Sequence, residues 1–227
     1  AWWGGILADR DPRPRLLGRI VLLAAWSTAA IALSKTWVLE FLQGAGGLHT
    51  VAIVATVSLF APAAILLGMV APFAVRLCLE DTEHSGRTAG SLYALSTIGS
   101  IVGTFLAGFV LIAWVGSTAI LYITAAVLAL ASWMAEPSVK AIKALSLLAF
   151  LLAVFLCRQH DHHLEKMGFL DQDTPYNRVL VYNTREEGSD RLTREMVTGP
   201  QGRQSAMYLD NPTELALPYT RFYRLCE

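Results

Sequence analysis

Long apolar tracts separated by short charged segments dominate the first two thirds of the chain. The tracts run from about Leu16 to Leu33, Val51 to Leu77, Ser91 to Trp114, Ser117 to Met134 and Val139 to Leu156. A bilayer core about 30 Å thick is crossed by about 20 apolar residues of helix. Because hydrocarbon offers no partner to open backbone groups, each tract is predicted to be a helix. The pattern therefore predicts a polytopic bundle of about five transmembrane helices.

Two of the predicted helices carry residues with a special effect on helix geometry. The second contains Pro62 and Pro72, which remove backbone donors, so we expect it to be kinked. The third contains Gly99, Gly103 and Ala107 at four-residue spacing. Small residues in this pattern let a neighbouring helix approach closely, and the stripe is predicted to be a packing face inside the bundle.

The distribution of basic residues predicts an orientation in the membrane. Lys and Arg concentrate before the first tract, after the second and after the fourth, and are scarce in the other connections. This alternation places the N-terminal segment in the cytoplasm and, with five helices, the C-terminal segment on the opposite side. A further membrane segment over Thr36–Leu48 would reverse the placement of the C-terminal segment, and both alternatives stay open.

The last third of the chain reads as water-soluble protein. After a polar run over Gln159–His163, strands are predicted at Arg178–Tyr182, Arg191–Val197 and Gln204–Leu209. Asn211 is a predicted helix cap, followed by Pro212 at the first helical position. We therefore predict three segments, namely a transmembrane helical domain (1–158), a juxtamembrane linker (159–173) and a small, truncated β-rich module (174–227).

Composition agrees with this mainly α, membrane-embedded fold class. Hydrophobic residues make up 54% of the chain and charged residues 16%, against about 25% charged in soluble domains. The formal net charge is zero, so no nucleic-acid partner is predicted. Three scattered cysteines indicate neither a disulfide framework nor a zinc site. His160, His162 and His163 lack a surrounding ligand framework, and no metal is predicted.

No catalytic residue is predicted within the chain. It contains no phosphate loop, no dinucleotide-binding glycine turn, no His-Glu-x-x-His and no nucleophile elbow. Its N-terminal Gly4-Gly5-Ile6-Leu7-Ala8-Asp9-Arg10 resembles the loop after the second helix of major-facilitator-like bundles. The tract Pro62–Pro72, and Gly86-Arg87 leading into Gly90–Thr104, resemble the membrane domain fused to spermidine synthases. Thr174–Val181, Gln204-Ser205 and Leu217–Thr220 are similar to the β-hairpin module of those enzymes.

This resemblance implies a function for a longer parent protein. The family transfers an aminopropyl group from decarboxylated S-adenosylmethionine, a co-substrate, to putrescine or a related amine, and uses no other cofactor. The acidic catalytic residue and the nucleotide loop of the family lie in a methyltransferase-like Rossmann domain, which is expected beyond Glu227. The present chain would supply the membrane anchor and the module that covers the substrate. Soluble relatives assemble through this module, which implies a homo-oligomer.

Three residues of the chain correspond to substrate-binding positions of the family. Asn177 falls where soluble members have a glutamine that contacts the nucleoside product. Tyr219 matches a tyrosine that lines the amine pocket. Thr220 falls where many bacterial members have a histidine that contacts the polyamine. Because Asn177 and Thr220 depart from the family pattern, the identity of the amine stays open.

The alternative hypothesis is a major-facilitator-like transporter or scaffold for a polyamine or another small molecule, with a non-catalytic synthase-like appendage. The proline-containing second tract and the small residues of the third favour it. Both hypotheses predict a multi-pass protein of the cell (inner) membrane, with the lipid bilayer as its partner.

Overall fold

The fold is described from a computed structural model of the chain. The structure describes residues 2–42, 47–79, 85–136, 140–166, 168–173, 177–186, 190–198, 202–217 and 219–220. The described chain divides into two compact units. We call Ala1–Leu106 with Thr118–Phe155 the membrane unit, and Ala107–Ser117 with Leu156–Glu227 the sheet unit.

Helices account for most of the described residues. They are α1 (Trp2–Arg10), α2 (Pro14–Leu42), α3 (Leu48–Cys78), α4 (Ser85–Phe105), a π-helical segment (Leu106–Leu111), α5 (Ile112–Val115), α6 (Ser117–Ala135) and α7 (Lys140–Lys166). Among the described residues, five stretches are long and apolar enough to cross a membrane: Pro14–Lys35, His49–Cys78, Gly86–Leu111, Ser117–Ala135 and Lys140–Cys157. The predicted helical bundle of about five spans, followed by a small β-rich module, is confirmed.

Small side chains form the inside of the membrane unit. On α2, Ala24 and Ala25 are fully buried, and on α6 so is Ala125. Large apolar side chains such as Leu23 and Phe155 point outward and are more than half exposed. This arrangement suits helices that are solvated by lipid, because close backbone approach supplies the packing that the hydrophobic effect does not.

A single glycine separates the third and fourth apolar tracts. Gly116 has a φ of 81°, a left-handed conformation that side chains with a Cβ rarely adopt, and it ends α5 immediately before α6 begins at Ser117. The predicted turn at Val115-Gly116 is therefore confirmed at Gly116.

Gly99 and Gly103, the two residues of the small-residue stripe that lie on α4, have no packing partner in the described part of the chain. No described residue of α4 is buried. A Cβ built on Gly99 or Gly103 meets no other atom within 4 Å. The prediction that this stripe is a packing face is thus not met within one copy of the described chain. Helix α3 runs unbroken through Pro62 and Pro72, and the predicted kink stays a prediction.

The sheet unit contains a four-stranded antiparallel meander in the order β1-β2-β3-β4. Its strands are β1 (Leu170–Asp173), β2 (Arg178–Arg185), β3 (Leu192–Val197) and β4 (Arg203–Tyr208). The three strands predicted from the sequence correspond to β2, β3 and β4. A bulge between Met196 and Val197 shifts the register of β3 and β4.

Several local predictions differ from the structure. Residues 159–173, predicted as a linker, contain the last turns of α7 and all of β1. The helix continues because no breaker precedes Gly168, which has a φ of 80° and whose N–H bonds to Glu165 O. Most of Thr36–Leu48 belongs to α2, which reaches Leu42, and Gly4–Arg10 belongs to helix α1 instead of a loop.

The helix predicted after Asn211 is also wrong. Residues 212–213 form a turn, and Leu215 bridges back to Met207 of β4. The side chain of Asn211 is engaged locally, since its Oδ1 accepts a 2.8 Å hydrogen bond from Thr213. The chain does turn after Asn211, but a single β-bridge between Leu215 and Met207 is found where the helix was expected.

Candidate functional site

Asn177 lies immediately before β2 and is exposed. Its Oδ1 accepts a 3.1 Å hydrogen bond from the backbone N–H of Arg178. The side chain therefore stabilises the start of the strand. Neighbouring residues 174–176 of the resembling motif lie outside the described residues.

Tyr219 and Thr220 lie in a short helical turn that follows the sheet. The Tyr219 hydroxyl donates a 3.1 Å hydrogen bond to the backbone oxygen of Gln204 on β4, while the residue stays 56% exposed. The Thr220 hydroxyl donates to Leu217 O over 2.6 Å, and the Thr220 N–H bonds to the same oxygen. Tyr219 thus presents an anchored aromatic ring, whereas the Thr220 hydroxyl is used within its own turn.

The sheet register places these positions at one end of the sheet. Leu180 of β2 pairs with Val197 of β3, which pairs with Arg203 of β4. Asn177 precedes β2 and Gln204 is near the start of β4, so both lie toward this end, with β3 between them. The structure therefore brings Asn177 and Tyr219 to the same end of the sheet, two strands apart.

A buried carboxylate beside this end was missed by the sequence reading. Glu195 on β3 is only 5% exposed, and its Oε1 accepts a 2.8 Å hydrogen bond from Arg203 Nη1. Thr193, also buried, lies 3.5 Å from the same oxygen. The hydrogen bond to Glu195 raises the pKa of Arg203, and the charge of Glu195 acts in the same direction. The alternation Leu192-Thr193-Arg194-Glu195 gave no apolar face, so the sequence could not show which side was buried.

A second polar network covers the other end of β4. Tyr208 is buried, and its hydroxyl donates to both carboxylate oxygens of Glu186, at 3.2 and 3.0 Å. The guanidinium of Arg191 lies 3.8 Å from the centre of the Tyr208 ring. Hydrogen bonding to Glu214, and then to Asp210, raises the pKa of Arg191 above its ordinary value. These contacts hold the turn after β4 against the sheet.

Carboxylates, phenols and guanidinium groups therefore occur on β3 and β4 and in the segments that contact them. Carboxylates attract ammonium groups, and phenols accept or orient protons, as amine chemistry needs. The Tyr219 hydroxyl bonds to the backbone oxygen of Gln204. The preceding residue of β4, Arg203, bonds through its side chain to Glu195. An ammonium ion that enters here would compete with Arg203 for Glu195.

The membrane unit holds a separate buried ion pair that the sequence reading also missed. Lys143 of α7 is 3% exposed, and its Nζ donates to the backbone oxygens of Ser132 (3.0 Å) and Glu136 (2.6 Å). The Glu136 carboxylate lies 3.9 Å away through Oε2. Arg15 Nε approaches Oε1 to 3.3 Å, as an ion pair without hydrogen-bond geometry. The signal in the sequence was Lys143 inside the apolar start of the fifth tract.

No group of three or more His, Cys, Asp or Glu side chains that could hold a metal occurs among the described residues. The side chains of His160, His162 and His163 lie outside them. A cavity of about 280 Å³ beside α3 is lined by Ala52, Ile53, Thr56 and Val57. Because one helix supplies this whole lining, the cavity is a shallow surface groove.

The chain was compared with protein-family models, with curated proteins and with solved structures. No family model, curated protein or solved structure matches it.

Proposed function

We propose that the chain is the membrane anchor and substrate-covering module of a spermidine synthase-like aminopropyltransferase of the cell (inner) membrane. A Rossmann domain of the same protein would carry the nucleotide loop and the acidic catalytic residue. In the reaction, a neutral amine attacks the carbon attached to the sulfonium of decarboxylated S-adenosylmethionine. A C–N bond forms, the C–S bond breaks, and the sulfur leaves with both electrons as a thioether nucleoside. The new ammonium group then releases a proton.

One observation carries this proposal. Tyr219 is anchored to β4 beside the residue whose side chain holds the buried carboxylate Glu195. The exposed ring of Tyr219 offers a cation–π face to one ammonium end of a diamine. The Glu195 carboxylate lies on the neighbouring strand, where Arg203 holds it. Asn177, at the same end of the sheet, offers an amide to the nucleoside. The two departures from the family pattern leave the choice between putrescine and another amine to experiment.

The experiment is an assay of the full-length gene product, purified in detergent. Decarboxylated S-adenosylmethionine and a panel of diamines are supplied, and release of the thioether nucleoside is measured. We expect turnover with at least one diamine, and we expect Tyr219→Ala to lower kcat/KM by about 10- to 100-fold through lost contacts to the amine.

Tyr93→Ala is the matched control. Tyr93 lies on α4 and is 63% exposed, close to the exposure of Tyr219. Its removal should leave kcat/KM unchanged. Absence of transfer with every diamine tested, from a well-folded full-length protein, would refute the proposed activity.

A second candidate function is transport of a polyamine or another small cation. The buried Lys143–Glu136 pair favours it, since ionisable groups inside a helical bundle often mark a path for ions or substrates. Uptake of radiolabelled putrescine into proteoliposomes tests it. A rate equal to that of empty vesicles would eliminate the transport hypothesis and leave the transferase hypothesis standing.

A further inference from the structure

Three helix ends meet at one corner of the membrane unit. Helix α2 begins at Pro14, α7 begins at Lys140, and α6 ends at Ala135. The three apolar spans Pro14–Lys35, Lys140–Cys157 and Ser117–Ala135 begin or end at the same residues. This corner therefore lies where the apolar spans give way to polar surroundings, which is the level of phospholipid headgroups.

Buried polar contacts connect α2, α6 and α7 at this corner. The Ser132 hydroxyl of α6 donates a 2.7 Å hydrogen bond to Gly18 O of α2. Lys143 of α7 donates to Ser132 O and Glu136 O at the end of α6. A Cβ built on Gly18 would lie 3.3 Å from Lys143 Nζ, so α2 and α7 are in direct contact here. These bonds give the corner a defined geometry.

Positive charge dominates this corner. Arg15, Arg19 and Lys140 are exposed, and Arg15 keeps 73% of its side chain exposed while it approaches Glu136. In the described part of the chain, Arg19 and Lys140 have no ion-pair partner. The first turns of α2 and α7 contain no acidic residue. The Glu136 carboxylate pairs with Arg15 and with the buried Lys143.

We propose that this corner, formed by Arg15, Arg19 and Lys140 over the Lys143–Glu136 pair, binds the phosphate group of an anionic phospholipid. Guanidinium and ammonium groups are the donors that phosphate oxygens prefer. A basic pocket between transmembrane helices at headgroup depth fits an anionic lipid. The inference does not rest on the proposed aminopropyl transfer, because it concerns only the membrane unit.

The test titrates the purified full chain with phosphatidylglycerol and, separately, with phosphatidylcholine, and measures bound lipid by native mass spectrometry. The wild-type chain should bind phosphatidylglycerol more tightly. The double variant Arg19→Gln/Lys140→Gln should weaken that binding by about 25-fold, or about fivefold for each cation removed. Both side chains are exposed, so the variant should fold, and its melting temperature in phosphatidylcholine checks this. Arg15→Gln is measured separately, because it also frees Glu136.

Arg10→Gln/Arg87→Gln is the matched control, since it removes the same charge from the end of α1 and the start of α4. It should change phosphatidylglycerol binding by less than about twofold. Equal losses in the two double variants would overturn the proposal, because they would indicate a diffuse charge effect. Equal affinity for the two lipids would overturn it as well. Displacement of phosphatidylglycerol by millimolar inorganic phosphate would assign the site to free phosphate and reject the lipid.

Discussion

The membrane unit and the sheet unit differ in what they bury. In the membrane unit, buried positions are filled mainly by small residues such as Ala24 and Ala125, and large apolar side chains face outward. In the sheet unit, Thr193, Glu195 and Tyr208 are buried, each with a polar partner. Burying leucine adds little stability to a bundle that lipid surrounds, because lipid is as apolar as leucine. In a small sheet, polar contacts become stronger when adjacent segments of the same chain exclude water from them.

The units also differ in how they neutralise a buried charge. Lys143 is satisfied mainly by the backbone oxygens at the end of α6, in addition to Glu136. Glu195 is satisfied by the side chain of Arg203, which stays 46% exposed. The buried charge in the membrane unit therefore fixes the relative position of helices, and the one in the sheet unit fixes neighbouring strands. Four substitutions test this difference between the units.

The largest effect is expected for Lys143→Met. The substitution leaves two helix-end carbonyl groups and the Glu136 carboxylate without their buried cation, and should cost about 3–5 kcal/mol of unfolding free energy. The measurement is unfolding in mixed detergent, followed by tryptophan fluorescence, to which Trp26 contributes; its ring centroid lies 5.1 Å from that of Phe150. Lys140→Met, at an exposed position three residues earlier, is the control. An equal loss of unfolding free energy in the two variants would show that the buried contacts of Lys143 do not stabilise the fold.

The next effect is expected for Gly4→Ala in α1. A Cβ at Gly4 would lie 2.6 Å from Met69 Cα and 2.8 Å from Met69 O. These are backbone atoms of α3, so the helix itself would have to move to remove the clash. Separating α1 from α3 should cost about 1–3 kcal/mol. Gly5→Ala meets no atom within 4 Å and should be neutral or stabilise by up to about 1 kcal/mol. Melting temperatures of the two variants in one detergent should move in opposite directions or differ by several degrees.

A smaller effect is expected for Arg203→Met in the sheet unit. It removes the cation from the buried Glu195, but Arg203 is half-exposed, so we expect a cost of about 1–2 kcal/mol. Hydrogen exchange of the β3 and β4 amides reports this cost locally, as faster opening. Arg194→Met removes only an exposed 3.0 Å hydrogen bond to Asn183 and should change exchange by less than about 0.5 kcal/mol. Unchanged protection in both variants would show that the Glu195–Arg203 pair does not hold the sheet.

The smallest loss of stability is expected for Gly99→Ala/Gly103→Ala on α4. Both positions face open space within one chain, so neither alanine should destabilise it, and each should stabilise it by no more than about 1 kcal/mol. The same unfolding assay measures it, with native mass spectrometry for oligomeric state. A large loss of stability together with loss of a dimer would show that the stripe packs against a second copy. That result would restore the sequence-based prediction of a packing face.

The number and approximate bounds of the membrane spans, the turn at Gly116 and the strands β2 to β4 could be predicted from the sequence. These features depend on local patterns, namely apolar runs of bilayer length, a residue suited to positive φ, and β-branched segments between turn residues. The sequence also indicated Tyr219, whose hydroxyl bonds to the backbone oxygen of Gln204 on β4.

The burial of polar side chains and the identity of their partners could not be predicted from the sequence, because both depend on the tertiary structure. Glu195 and Arg203 come together because β3 and β4 pair across a bulge, and Lys143 meets Ser132 because α6 and α7 lie side by side. The turn after Asn211 forms because Leu215 pairs with Met207, which a local capping signal cannot reveal. Such contacts join residues that are distant in sequence or placed by a neighbouring element, and their energies depend on solvent exclusion by the whole fold.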